Sequence, residues 1–140
     1  MSDASGVPDS PELFAYLSYV DAPSGITWLE ALGFQVSVRQ DGTHGEVMHA
    51  ELRFGDVVVM VASFDEAYDL PALHGRSVGR GLYLRTDAVD ELYDRGVAAG
   101  GRPVIAPEDT EWGARRARLL DPGGHEWSFG TYRPGGSESL

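Results

Sequence analysis

The chain has 140 residues, enough for one domain or for two half-sized modules sharing a core, and its 42% hydrophobic and 24% charged residues describe a globular protein. Its 22 acidic residues face 11 basic ones, all Arg, so the formal net charge is −11, with no Lys and no Cys. The acidic balance argues against nucleic-acid and anionic-membrane binding, while the missing residue types exclude Schiff-base and pyridoxal chemistry, a P-loop lysine, disulfides and thiolate metal sites.

Residues 1–11 lack the basic and apolar regions of a signal peptide and read as a flexible leader, as does the tail 134–140. No apolar run exceeds Val57–Ala62, far below the roughly 18 residues of a membrane span, so a cytoplasmic protein is expected. Glu12–Val20 is a predicted strand closed by Asp21. Ile26, Leu29 and Leu32 then place one apolar stripe on a short helix that Gly33 stops. Phe34–Arg39 alternates as a strand, Asp41-Gly42 is a turn signal, and Glu46–Phe54 alternates again. Gly55-Asp56 turns into the apolar strand Val57–Ala62.

Residues 64–79 read as a connector. Gly81–Thr86 is the next predicted strand, and Asp87 is the expected cap of a helix with Val89, Leu92, Tyr93 and Val97 on one face. Gly100-Gly101 ends it. Pro103–Ala106 is a short strand, Pro107–Gly113 an acidic loop tipped by Trp112, and Ala114–Leu120 a strand. Asp121-Pro122-Gly123-Gly124 turns into the closing strand His125–Tyr132. Both halves therefore read β-α-β-β-β, over 12–63 and 80–133. The offset that carries Gly33 onto Gly100 also carries Gly55 onto Pro122, which marks an internal repeat within one domain.

The motifs Gly81-Leu82-Tyr83-Leu84, Asp87-Ala88-Val89-Asp90-Glu91-Leu92, Trp112-Gly113-Ala114-Arg115 and Asp121-Pro122-Gly123-Gly124-His125-Glu126-Trp127-Ser128-Phe129 resemble the glyoxalase/bleomycin-resistance family of the vicinal oxygen chelate superfamily. In the first half Trp28-Leu29-Glu30, Leu32-Gly33-Phe34 and His49-Ala50-Glu51-Leu52 resemble it too. The resemblance implies an α+β fold of two βαβββ modules forming a shared cleft, and a homodimer. It implies either a metal-dependent enzyme or a metal-free protein that sequesters an antibiotic. The metal enzymes of the family carry ligands on the first and last strands of each module. Those positions fall here on Phe14, Gly81, Ser128 and a residue within Val59–Val61, none of which suits a divalent cation. His49 and Glu51 share a strand face and are the alternative ligands for a displaced site.

Alternation gives the lining of the implied cleft: Phe14 and Tyr16 on the first strand, Tyr83 and Arg85 on the fifth, Glu126 and Ser128 on the last. The resemblance implies that Trp112 and Arg115, on the loop and strand that overhang the cleft in relatives, overhang it here, with Arg115 open either to a ligand carboxylate or to Asp109 or Glu111. Trp28, Trp127 and Phe129 are expected in the core. Glu126 is the candidate acid or base, because a desolvated carboxyl holds its proton more tightly. The leading expectation is a metal-independent, cofactor-free protein of the bleomycin-resistance type that sequesters an amphipathic aromatic or cationic compound. The acid beside Trp112 favours the cation, and Arg85 and Arg115 oppose that locally. The alternative is a glyoxalase-like lyase, isomerase or dioxygenase with a rearranged metal site.

Overall fold

The computed structural model describes residues 12–64, 68, 71, 74–75 and 79–135. The expected leader 1–11, the tail from 136 and most of the connector lie outside the described residues. Ten elements follow in chain order: β1 (Ala15–Ser18), α1 (Ala22–Leu32), β2 (Gln35–Asp41), β3 (Val47–Phe54), β4 (Val57–Ala62), β5 (Gly81–Arg85), α2 (Val89–Ala98), β6 (Arg102–Asp109), β7 (Arg115–Leu120) and β8 (Glu126–Gly130). They form two four-stranded sheets of identical topology, ordered β1-β4-β3-β2 and β5-β8-β7-β6. In each, the first strand runs parallel to the last and the other pairs are antiparallel. The repeat read from glycine spacing is thus a repeat of topology.

Each helix lies against its sheet because alternate strand residues are apolar. Leu17, Val61 and Ala50 sit side by side on one face of the first sheet, and Leu82, Trp127 and Leu119 do so on the second. These inner faces and the two helices make one core that joins the modules. Trp28 of α1 is buried, packs on Trp127 at 5.9 Å between ring centroids, and donates its Nε1–H to the Gly96 carbonyl of α2 at 3.0 Å. Phe34 meets the same Trp127 edge-on at 6.0 Å. Gly96 interrupts α2 where a side chain has no room: a Cβ there would stand 2.7 Å from Leu119 Cδ2 and 3.2 Å from Trp28 Cζ2. The close helix approach explains a residue that otherwise costs about 1 kcal/mol in mid-helix.

A polar latch closes the same seam. Asp121, in the β7–β8 turn and 4% exposed, accepts from Tyr19 Oη at 2.7 Å and from Trp127 Nε1 at 3.0 Å, and its other oxygen takes the backbone N–H groups of Gly123 and His125. Tyr19 follows β1, so the bond spans the modules. Burial, and then the neighbouring Asp121 charge, push the Tyr19 hydroxyl well above its ordinary pKa. His125, just before β8, stacks edge-on against Tyr19 at 4.8 Å and lies 3.0 Å from the Ser18 carbonyl through Nε2.

Three local expectations need correction. Asp87 does not cap α2: the cap residue is Ala88, which makes no side-chain cap bond, and its N–H donates to Thr86 Oγ1 instead. Residues 107–109 belong to β6 rather than to the loop, because β6 is an edge strand where Pro103 and Pro107 are tolerated. Asp41 ends β2, and the connection to β3 is five residues (42–46), not a tight Asp-Gly turn, closed by Gly42 N–H to the Glu46 carbonyl at 2.8 Å.

Candidate functional site

The outward faces of the two sheets differ. On the second, cross-strand register builds three rows: Gly81, Glu126 and Leu120; Tyr83, Ser128, Arg118 and Ile105; Arg85, Gly130 and Arg116. Over these rows lies a cleft of about 550 Å³, walled by the end of β6 and the loop carrying Trp112. Of the expected ligand-binding residues, Tyr83, Trp112, Arg115, Glu126 and Ser128 line it. Phe14, Tyr16 and Arg85 do not. Tyr16 belongs to β1 of the other sheet, and Phe14, just before that strand, borders a groove of about 510 Å³ between the β1 and β5 edges. Arg85 stands at the end of β5 with its Nε–H on the Thr131 carbonyl at 3.0 Å and its Nη2 3.1 Å from Asp87. Apart from Gly79 at the end of the connector, every described residue that lines the cleft comes from the second module.

Two glycines give the cleft its depth. A Cβ at Gly130 would stand 2.6 Å from the Tyr83 hydroxyl, so the tyrosine lies flat over the strand, and its hydroxyl donates to the Tyr132 carbonyl. Partial burial raises the Tyr83 pKa. At Gly81 a Cβ would stand 2.8 Å from Glu126 Oε1, so the carboxylate lies back over β5. The missing side chain at Gly81 is therefore space that Glu126 uses.

Arg115 is committed. It donates to both Asp90 oxygens at 2.6 and 2.8 Å and to Asp109 at 2.9 Å, tying α2, β6 and β7 together. The Arg115 bonds hold the Asp90 carboxyl below its usual range, and the two carboxylates raise the arginine in turn. The cleft also holds arginines that the sequence reading passed over, Arg116 and Arg118. Their signal was present, since both alternate with the buried Ala117 and Leu119 along β7. Arg116 pairs with Glu108 at 2.8 Å and stands with its guanidinium carbon 5.9 Å from the centroid of Trp112, which is 61% exposed. Trp28, Trp127 and Phe129 are buried, as expected.

On the first sheet Tyr16, Met60 and Glu51 form one outward row. Met60 is thus the member of Val59–Val61 that faces outward, and a thioether is a poor ligand for hard divalent ions. His49 Nε2 and Glu51 Oε2 lie 2.7 Å apart, so these two potential ligands partner each other. Among the described residues no three His, Cys, Asp or Glu side chains converge as a metal site would require.

Comparison with known proteins gives a consistent family. The family model of the Glyoxalase/Bleomycin resistance protein/Dioxygenase superfamily matches residues 17–129. The uncharacterized protein Rv0887c of Mycobacterium tuberculosis H37Rv is 31% identical over 138 residues, covering 91% of this chain and 78% of that protein. Among solved structures, TioX from Micromonospora sp. ML1 superposes with a TM-score of 0.69 at 29% identity, over 89% of this chain and 100% of that one. A bleomycin-binding protein complexed with bleomycin gives 0.60 at 25% identity, over 89% and 100%. The fold is shared as well with a bleomycin resistance determinant encoded on the transposon Tn5, at 0.59 and 24% identity over 86% and 96%.

Proposed function

Because the chain belongs to the glyoxalase/bleomycin resistance protein/dioxygenase superfamily, we propose that it binds a small amphipathic, aromatic molecule in the cleft of its second sheet, without a metal ion, and sequesters it. The observation that carries this reading is the composition of the cleft. Tyr83 and Trp112 offer flat apolar surface, and Ser128 and the arginines offer a few fixed polar groups, which is the make-up of a small-molecule site. The positions where metal enzymes of this family hold their ion carry Phe14, Gly81, Met60 and Ser128 instead. The bleomycin-binding neighbour supports a role in capturing a compound, and the resistance named for the Tn5 neighbour supports protection of a cytoplasm from it.

A homodimer is part of the proposal. The β1 and β5 strands are both sheet edges, and Leu13 and Phe14 beside them are 97% and 47% exposed. Unpaired edges next to apolar side chains favour a second copy as their cover. Light scattering behind size exclusion reads this directly: a mass of two chains is expected, and one chain at micromolar concentration removes the dimer.

The competing reading is a metal-dependent lyase, isomerase or dioxygenase using the His49–Glu51 pair. Elemental analysis of protein purified without chelators separates the two. Trace metal is expected, and stoichiometric Ni, Zn, Mn or Fe would overturn the proposal. In parallel, ligands that quench tryptophan fluorescence should lose that effect in Trp112→Ala, because Trp28 and Trp127 are buried. Undiminished quenching in the variant would place the ligand elsewhere.

A further inference from the structure

Five arginines border the open face of the second sheet: Arg85 pairs with Asp87, Arg115 with Asp90 and Asp109, and Arg116 with Glu108, while Arg102, opposite Leu120 on the edge strand β6, is exposed and lies outside the cleft lining. Arg118 differs. Its Nε–H donates to Ser128 Oγ at 2.9 Å, and no carboxylate among the described residues forms an ion pair with it. Among the described arginines that make no ion pair with a described carboxylate, Arg118 is the half-buried one, whereas Arg53, Arg80, Arg102 and Arg133 are exposed.

Its position is central. Arg118 stands between Ser128 and Ile105 in the row that begins at Tyr83, and with strands about 4.8 Å apart that row crosses roughly 14 Å of cleft floor. Ring, hydroxyl, cation and aliphatic chain follow one another across it. The bond to Ser128 fixes the guanidinium plane through Nε, and no described residue takes up the two terminal nitrogens, which face an incoming group. A guanidinium drawn partly from water loses hydration that only an anion restores in full, and a carboxylate matches its fork with two parallel bonds. Of the acids beside Trp112, Glu108 pairs with Arg116 and Asp109 shares Arg115 with Asp90, and neither these two nor Glu111 lines the cleft. Glu126 lies back over Gly81, toward the β5 edge.

Resting on the cleft-binding reading above, we infer that the ligand is an aromatic carboxylate, its anionic group seated on Arg118 and its ring against Tyr83 and Trp112. This departs from the cation expected from the acid-rich loop.

Three probes of nearly equal shape test it by calorimetry on the full chain: 2-naphthoate, 2-naphthamide and 2-naphthylmethylammonium. Naphthoate should bind about tenfold or more tighter than the amide, the gain expected of a charge-assisted pair, and should weaken as salt rises. Arg118→Gln should erase the preference while leaving the amide's affinity in place, and Arg118→Lys should keep part of it, with circular dichroism confirming that each variant folds. If the wild type takes the amide or the ammonium as tightly as the carboxylate, and Trp112→Ala weakens all three, the cleft reading stands and the anion seat falls. A preference that survives in Arg118→Gln also removes the seat. No binding of any probe at millimolar concentration overturns both.

Discussion

Asp121 accepts four hydrogen bonds and every partner is a donor: two side chains on one oxygen, two backbone amides on the other. An asparagine there would turn its own N–H₂ against one of those pairs, so Asp121→Asn should be nearly as damaging as Asp121→Ala. Each leaves buried donors unmatched, at a cost on the order of 3 kcal/mol. Tyr19→Phe removes one donor and leaves three, and should cost about 1 kcal/mol. Urea unfolding measures all three, and an Asp121→Asn variant as stable as wild type would contradict the four-donor arrangement. The tyrosine also has a pH signature. Its folded pKa lies above the ordinary 10.0, so its contribution is complete below about pH 10. As pH rises beyond that, the unfolded chain releases the proton and the folded one keeps it, and stability falls. Tyr19→Phe should flatten that alkaline decline; an unchanged slope would assign it to other groups.

At the scale of the elements, the two helix stops test what the repeat means physically. Gly33 and Gly100 follow α1 and α2 with φ of +138° and +107°. A Cβ at Gly33 would also stand 2.7 Å from Phe54 Cε2, and that ring packs edge-on against Phe34, while a Cβ at Gly100 meets nothing within 4 Å. Gly100→Ala should therefore cost only the backbone term, about 1–2 kcal/mol, and Gly33→Ala that plus overpacking, about 3 kcal/mol or more in all. Equal thermal shifts for the two would mean that Phe54 yields freely. These stops, the apolar alternation and the buried Trp28 were legible because period and glycine placement are local signals. Spacing does not reveal the true start of α2, because Thr86 Oγ1 takes the Ala88 N–H, a competition between neighbouring residues. Nor does the sequence place Pro107 in a strand, because its tolerance there depends on β6 being an edge, which only the sheet order reveals.

The whole molecule explains why the candidate site was only partly legible. Alternation correctly put Tyr83, Glu126 and Ser128 on one face, but it assigns faces strand by strand. Which open faces share a cleft depends on how the modules pack. Here the helices and Trp28–Trp127 join the modules back to back, so Tyr16 and Phe14 are carried away from the second-sheet cleft. The role of Arg115 was open for the same reason: its bidentate partner Asp90 comes from a helix that precedes it by 25 positions. The charge of −11 is also redistributed by the fold, since Glu108 and Asp109 pair with Arg116 and Arg115, while Arg118 makes no ion pair with a described carboxylate and bonds Ser128.

Amide NMR on chelator-treated protein titrated with 2-naphthoate locates the bound ligand. Saturable shifts are expected at Tyr83, Arg118, Ser128 and the Trp112 indole, with the first sheet unmoved. Shifts confined to His49 and Glu51, or appearing only after a divalent metal is restored, would contradict metal-free binding in the second-sheet cleft.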